Sequence, residues 1–165
     1  MKLVGIFLFI VVALSSCGDS IKVAYANNNQ LFNSFELKIE LTKKLETKKV
    51  ASQLTLDSIK FELIELKKKI EITETPNEDL IKNHQLLYNE YLTKEKSFMS
   101  SNEQLAQQYD EQIMKQLNEY IKNYAKEQHI NVLLGVGDGN LLYAEENMDI
   151  TDDLIKYSNL KYNGK

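Results

Sequence analysis

The chain has 165 residues, a net charge of −4, nine tyrosines and no tryptophan, and lysine is its only basic residue type apart from two histidines. A mildly acidic chain without arginine argues against nucleic acid as a partner, because that binding is dominated by cationic contacts to phosphate. Six glycines and one proline argue against disorder, and an apolar share of 43% is enough to bury a core.

Residues 1–16 read as a targeting segment, to be set aside before the fold is considered. Lys2 gives a positive start, Val4 to Leu14 is an almost unbroken apolar run, and Leu14-Ser15-Ser16-Cys17 resembles a bacterial lipobox. The apolar run is shorter than the ~20 residues that cross a bilayer comfortably. Cys17 is the only cysteine, so no internal disulfide forms. Acylation of Cys17 accounts for a thiol that a plain secreted protein would leave unpaired; an uncleaved anchor or a plain signal peptide is the alternative. Residues 17–20 are then the lipidated N-terminus and a short linker. Export follows either way, and the expected location is the periplasm, with a membrane anchor. Gly18 directly after Cys17 favours the outer over the inner membrane by the enteric sorting rule.

Residues 21–27 contain a β-prone run, with Val23 and Tyr25 on one face by period two. Asn27-Asn28-Asn29 is a turn or N-cap cluster. From 28 to 129 the chain has one proline and no glycine, and is dense in Leu, Ile, Lys, Glu and Gln. That proline lies in Thr75-Pro76-Asn77-Glu78, which reads as a helix start: Thr75 caps, Pro76 takes the first helical position, and Glu78 completes a capping box. The incoming helix should stop near Glu74, since a residue before proline is pushed out of the α region. The simplest result is an antiparallel hairpin of long helices, each about 70 Å at ~1.5 Å per residue.

In the first helix Leu56, Ile59, Leu63, Leu66 and Ile70 are spaced 3, 4, 3 and 4, a coiled-coil seam. Nearer the base Leu41, Leu45, Val50 and Leu54 form a stripe that drifts. The second helix carries Leu80, Leu87, Tyr91, Phe98, Leu105, Tyr109, Ile113, Leu117, Tyr120 and Tyr124, with His84, Lys94 and Asn102 at positions that expect an apolar residue. A seam with such gaps should bend. Residues 36–69 have nine lysines against six acids, and residues 70–112 three against nine. Opposite charge favours this pairing, mainly as specificity, since exposed pairs each contribute only about 0–1 kcal/mol.

After His129 the pattern alternates. Ile130 to Leu134 and Leu141 to Ala144 read as strands joined by the glycine-rich loop 135–140, a β-hairpin by its turn chemistry. No Lys-Ser/Thr or helix start follows those glycines, so a phosphate loop is not supported. Asp149-Ile150-Thr151-Asp152-Asp153 then opens a short helix capped by Thr151 or Asp149, with Leu154, Ile155, Tyr157 and Leu160 able to pack on the sheet. The fold class is therefore mostly α with a small β base: a long helical hairpin, 28–129, inserted between segments 21–27 and 130–165. So small a base buries too little to stand alone, and oligomerisation is the expected remedy. Val23, Tyr25, Val132, Leu134 and Leu142 are assigned to the base core and the subunit contact.

The string Lys22-Val23-Ala24-Tyr25-Ala26-Asn27 with Leu31-Phe32, and the string Leu142-Tyr143-Ala144 with Asp149-Ile150-Thr151-Asp152-Asp153-Leu154-Ile155-Lys156, resemble the two ends of the OmpH (Skp-like) family of periplasmic chaperones. The helical arms match in length and kind rather than in a motif. The resemblance implies a homotrimer whose strands form a small body, with arms hanging around a cavity. It implies that unfolded outer-membrane proteins are held there without ATP. The acidic charge and the lipobox depart from the best-known, basic and soluble pattern, which puts electrostatic attraction to clients and lipopolysaccharide in doubt.

Phe61, Tyr88, Tyr91, Phe98 and Met99 are candidate client contacts, since aromatic and methionine side chains suit adaptable surfaces. The plainer reading of each is that it holds the two arms together. His84 and His129 stand far apart, and neither a nucleophile elbow nor metal-ligand spacing is present in the sequence, so no enzyme activity, metal or cofactor is expected. The other reading is a lipid-anchored coiled-coil adaptor of the envelope, which would require a dry, continuous seam.

Overall fold

The computed structural model describes residues 21–75, 77–137 and 139–163. The targeting segment, Cys17 and Pro76 lie outside the described residues. The elements run β1 (Val23–Asn27), α1 (Asn28–Ser34), α2 (Glu36–Ile72), α3 (Glu78–Glu127), β2 (Val132–Val136), a 3-10 turn (Glu146–Met148) and α4 (Thr151–Asn163).

The first arm breaks where the sequence suggested a continuous helix. Phe35 leaves the helical region at φ −74 and ψ 122 and separates α1 from α2. Tertiary packing overrides local propensity here. The Phe35 ring is 1% exposed and meets the rings of Tyr120 and Tyr162 edge-on at 6.1 and 5.9 Å. Phenylalanine cannot cap a helix, so the cap comes from elsewhere. Asn159 of α4 accepts from the Glu36 backbone N–H at 2.9 Å and donates to the Ser34 carbonyl at 3.0 Å. One distant side chain thus satisfies a donor at the start of α2 and an acceptor at the end of α1.

α2 has 37 residues and α3 has 50, about 55 and 75 Å at ~1.5 Å per residue. At the hairpin tip the cap lies two residues later than the sequence suggested. Asn77, not Thr75, is the N-cap of α3, and its side chain accepts from the Asp79 N–H at 2.9 Å. Glu78 and Asp79 then occupy the first turn, where negative charge suits the helix dipole. α3 ends in a Schellman motif: Ile130 N–H reaches the Ala125 carbonyl at 2.8 Å and His129 N–H the Lys126 carbonyl at 3.2 Å. His129 takes the left-handed position usual for glycine, with φ 54.

The terminal β-hairpin does not form. β2 pairs parallel with β1, Val23 to Asn27 lying opposite Val132 to Val136 in register. The segment 141–144 contains no strand; Leu142 and Tyr143 there are 98% and 82% exposed. Gly139 does turn the chain, at φ 85, but the returning segment finds no partner strand within its own chain. A Cβ at Gly135 would lie 2.5 Å from the end of the Asn28 side chain, which would have to move aside to admit it.

The core sits at the arm root. Leu31, Phe35, Leu37, Leu41, Ile113, Leu117, Tyr120, Tyr124, Ala26 and Leu154 form one buried cluster. α4 closes it, with Leu154 and Ser158 fully buried. Asp149 opens α4, accepting from the Thr151 N–H at 2.8 Å. Thr151 Oγ1 in turn accepts from the Asn27 N–H at 2.9 Å. The helix start is thereby tied to β1.

Candidate functional site

Along the arm, the seam of α3 follows the sequence reading. Leu80, Leu87, Tyr91, Phe98, Leu105 and Tyr109 are half-buried, and so are the three polar replacements His84, Lys94 and Asn102. α2 contributes Leu41, Leu56 and Ile59 as buried residues, with Leu45, Leu63, Leu66 and Ile70 half-buried. Val50 and Leu54 differ from expectation. They are 58% and 65% exposed, and Ser52 takes the inward position instead.

That exchange has two consequences. A cleft of about 470 Å³ opens between the helices, floored by Ser52, Leu56, Phe98, Met99 and Ala106 and also lined by the polar and charged side chains of Lys49, Gln53, Glu95, Asn102 and Glu103. Val50 and Leu54 meanwhile join an apolar stripe on the back of α2. Ile39, Val50, Leu54, Phe61, Ile64 and Ile72 are each at least 45% exposed. Their separations of 11, 4, 7, 3 and 8 residues keep them on one helical face, opposite the seam. Besides its seam, α2 therefore has a second face rich in exposed apolar residues, interspersed with Lys43, Glu46, Asp57 and Lys68.

The five candidate contacts divide accordingly. Phe61, Tyr88 and Met99 are 65%, 48% and 61% exposed. Tyr91 and Phe98 are seam residues, partly buried between the helices. The Tyr91 hydroxyl donates to Glu95 at 3.0 Å, which raises its pKa.

At the base, the inner face of the sheet is Ala24 and Ala26, both 2% exposed, backed by Leu133. Val23, Tyr25, Val132 and Leu134 therefore lie on the other side from the chain's own core, reversing the core part of the sequence assignment. Alternation by two had been read correctly; the small alanines, not the large residues, face the helices because α1 and α4 pack so close. Val23, Tyr25 and Leu134 join Leu141, Tyr143 and Met148 around a shallow groove of about 290 Å³. Burial, then the carboxylate of Asp149, raises the Tyr25 pKa.

α4 clasps both arms. Tyr157 donates to Glu127 at 2.7 Å and Tyr162 donates to Glu40. Burial and then Glu127 push Tyr157 up to about 12; Glu40 and then burial push Tyr162 up to about 12. Periodicity could not have revealed this clasp, because its partners are distant in sequence. Among the described residues no cluster of His, Cys, Asp or Glu has the makings of a metal site, and no helix is long and apolar enough to cross a membrane.

A small two-stranded base that carries a long two-helix arm, apolar on its uncovered side, defines a class of armed, mostly helical proteins. The chain belongs to the family described as Outer membrane protein (OmpH-like), matching it over residues 22–157. Among solved structures it is similar to that of a "putative outer membrane chaperone (OmpH-like)" from Caulobacter crescentus. That likeness has a TM-score of 0.73 at 19% identity and covers 87% of this chain and 88% of the other. No curated protein matches the chain.

Proposed function

We propose that the protein is an ATP-independent holdase of the periplasm that keeps unfolded outer-membrane proteins from aggregating between its arms. Membership of the OmpH-like family and the fold shared with a "putative outer membrane chaperone" support a chaperone role. The observation that carries it is the uncovered apolar stripe on α2, where Phe61 and Leu54 are each 65% exposed. A stripe of this kind offers many weak contacts along an extended chain instead of one deep site.

In this reading three copies join through the open side of the sheet, where Val23, Tyr25, Val132 and Leu134 lie, and Leu142 reaches a neighbour. Cys17, acylated, holds the assembly at a membrane, the outer one by its Gly18. The adaptor reading would require a dry and continuous seam. A half-buried lysine, histidine and asparagine at seam positions speak for the holdase instead.

The test is suppression of light scattering when a urea-unfolded β-barrel protein is diluted into buffer containing this protein. Full suppression at one assembly per client is expected. Replacing Leu54 and Phe61 together by serine should weaken it several-fold, while Tyr91→Ala alone should change it little. Scattering that proceeds unchanged with the intact protein would sink the holdase reading. The anchor is tested separately, since Cys17→Ala should release the protein from membranes.

A further inference from the structure

α3 carries a second apolar stripe, beside its seam. Ile81, Tyr88, Leu92 and Met99 are 46%, 48%, 42% and 61% exposed, and separations of 7, 4 and 7 residues place them on one helical face. Gln85, Glu95, Lys96, Glu103 and Asp110 border or interrupt that face. At about 100° per residue the stripe lies roughly a quarter-turn from the α3 seam, whereas the outer stripe of α2 lies opposite its own.

The hairpin sets the heights of both stripes. Its turn lies between Ile72 and Glu78, and the mid-arm cleft is lined by residues between Lys49 and Leu56 of α2 and between Glu95 and Ala106 of α3. On that register Leu54 stands level with Met99, Phe61 with Leu92, Ile64 with Tyr88 and Ile72 with Ile81. Nearer the root the exposed Ile39 stands level with the exposed Met114. The charges between these levels match as well. Lys43 is level with Asp110, and Asp57 with Lys96. Among the described residues, none of these four forms an ion pair within its own chain; Asp57 accepts a hydrogen bond from Gln53 at 2.9 Å. Glu46 and Lys68, which meet no opposite charge at their own level, pair instead with Lys49 and Glu65 of α2. Val50 opposite Glu103 is the poor match.

Arms that hang from a shared base stand at equal heights, so the outer stripe of α2 in one copy matches the α3 stripe of the next. We propose that in the empty oligomer the arms close on one another through this contact, and that an unfolded client opens them by taking the place of the neighbour's stripe. The contact is heterologous and turns each arm by about 100° from the last, which closes a ring after three to four copies and leaves no open filament. Apolar pairs alternate with exposed ion pairs that each contribute little, so the ring is weak enough to open. The opening by a client rests on the holdase reading.

The test is disulfide cross-linking of the purified full-length protein carrying Phe61→Cys and Leu92→Cys. Within one arm these two cannot join, because Phe61 lies on the far side of α2, helices pack about 8–10 Å apart, and a disulfide spans Cα atoms at most ~7 Å apart. Mild oxidation should therefore link chain to chain, with the unsubstituted chain, whose sole cysteine is Cys17, as the blank. Neither single variant should link above that blank, and Phe61→Cys with Met99→Cys, two turns out of register, should link several-fold less. Asp57→Lys should lower the yield about 2–5-fold, and Lys96→Asp added to it should restore it. A urea-unfolded β-barrel protein present before oxidation should lower the yield several-fold. Equal linking by a single variant or by the out-of-register pair would overturn the contact. If links are absent while the client stays soluble, the ring is overturned and the holdase reading stands. If links form while the client aggregates, the ring stands and the holdase reading fails. A client held with undiminished links would overturn the opening of the arms.

Discussion

His129 sits at φ 54, a conformation that costs most L-residues about 1–2 kcal/mol and glycine almost nothing. His129→Gly should raise stability by about 0.5–1 kcal/mol, after glycine's own entropy cost, read as a higher midpoint in urea. Asn159→Ala removes both hydrogen bonds that bridge the break at Phe35, and should cost about 1–3 kcal/mol. Ser158 is fully buried and its hydroxyl is without a partner, so Ser158→Ala should be neutral or stabilising. Its neighbour Leu154, 0% exposed, should cost about 2–5 kcal/mol on truncation to alanine. The clasp tyrosines have a pH signature. Their folded pKa values lie above the ordinary 10.0, near 12, so their contribution is complete below about pH 10 and is lost as pH rises toward 12. Tyrosinate absorbance should show these two groups as the last to titrate, behind Tyr25 and Tyr91, whose pKa values are also raised, and hydrogen exchange at the α4 root should quicken over the same range.

At the scale of elements, the arm was the most legible part. A seam running over many turns leaves a periodic trace, and every predicted α3 position is half-buried or buried, polar gaps included. α2 was harder because its apolar residues lie on two faces, so Val50 and Leu54 were drawn into the wrong stripe. The distinction is measurable. Leu56→Ala should cost about 2–4 kcal/mol, whereas Leu54→Ser should stay within about 0.5 kcal/mol of neutral, by urea unfolding. Two elements were illegible for a different reason. The break at Phe35 depends on Asn159, and the pairing of β1 with β2 joins Val23 to Val132. Neither leaves a local sequence signal, while the Gly-rich loop 135–140 leaves a strong one for a hairpin that the chain does not make. The cleft beside Ser52 and Asn102 could have been suspected from the small and polar residues at those seam positions.

For the whole molecule, the division of labour follows from where apolar surface is covered. The root has a compact core under α4, the arm has one covered and one bare face, and the sheet has one side packed on helices and one open. Two strands are too few to stand as an independent sheet, which is the physical argument behind the proposal that subunits meet at Val23, Tyr25 and Leu134. Tyr25→Lys together with Leu134→Lys should therefore produce monomers that keep their helical signal, seen by sedimentation and circular dichroism. The central claim is that several arms on a shared base enclose one unfolded client. Native mass spectrometry of the purified protein, alone and after rapid dilution of a urea-unfolded β-barrel protein, tests it most directly. The account predicts a trimer that gains the mass of one client. A monomer, or an oligomer that stays empty while the client aggregates, would contradict it.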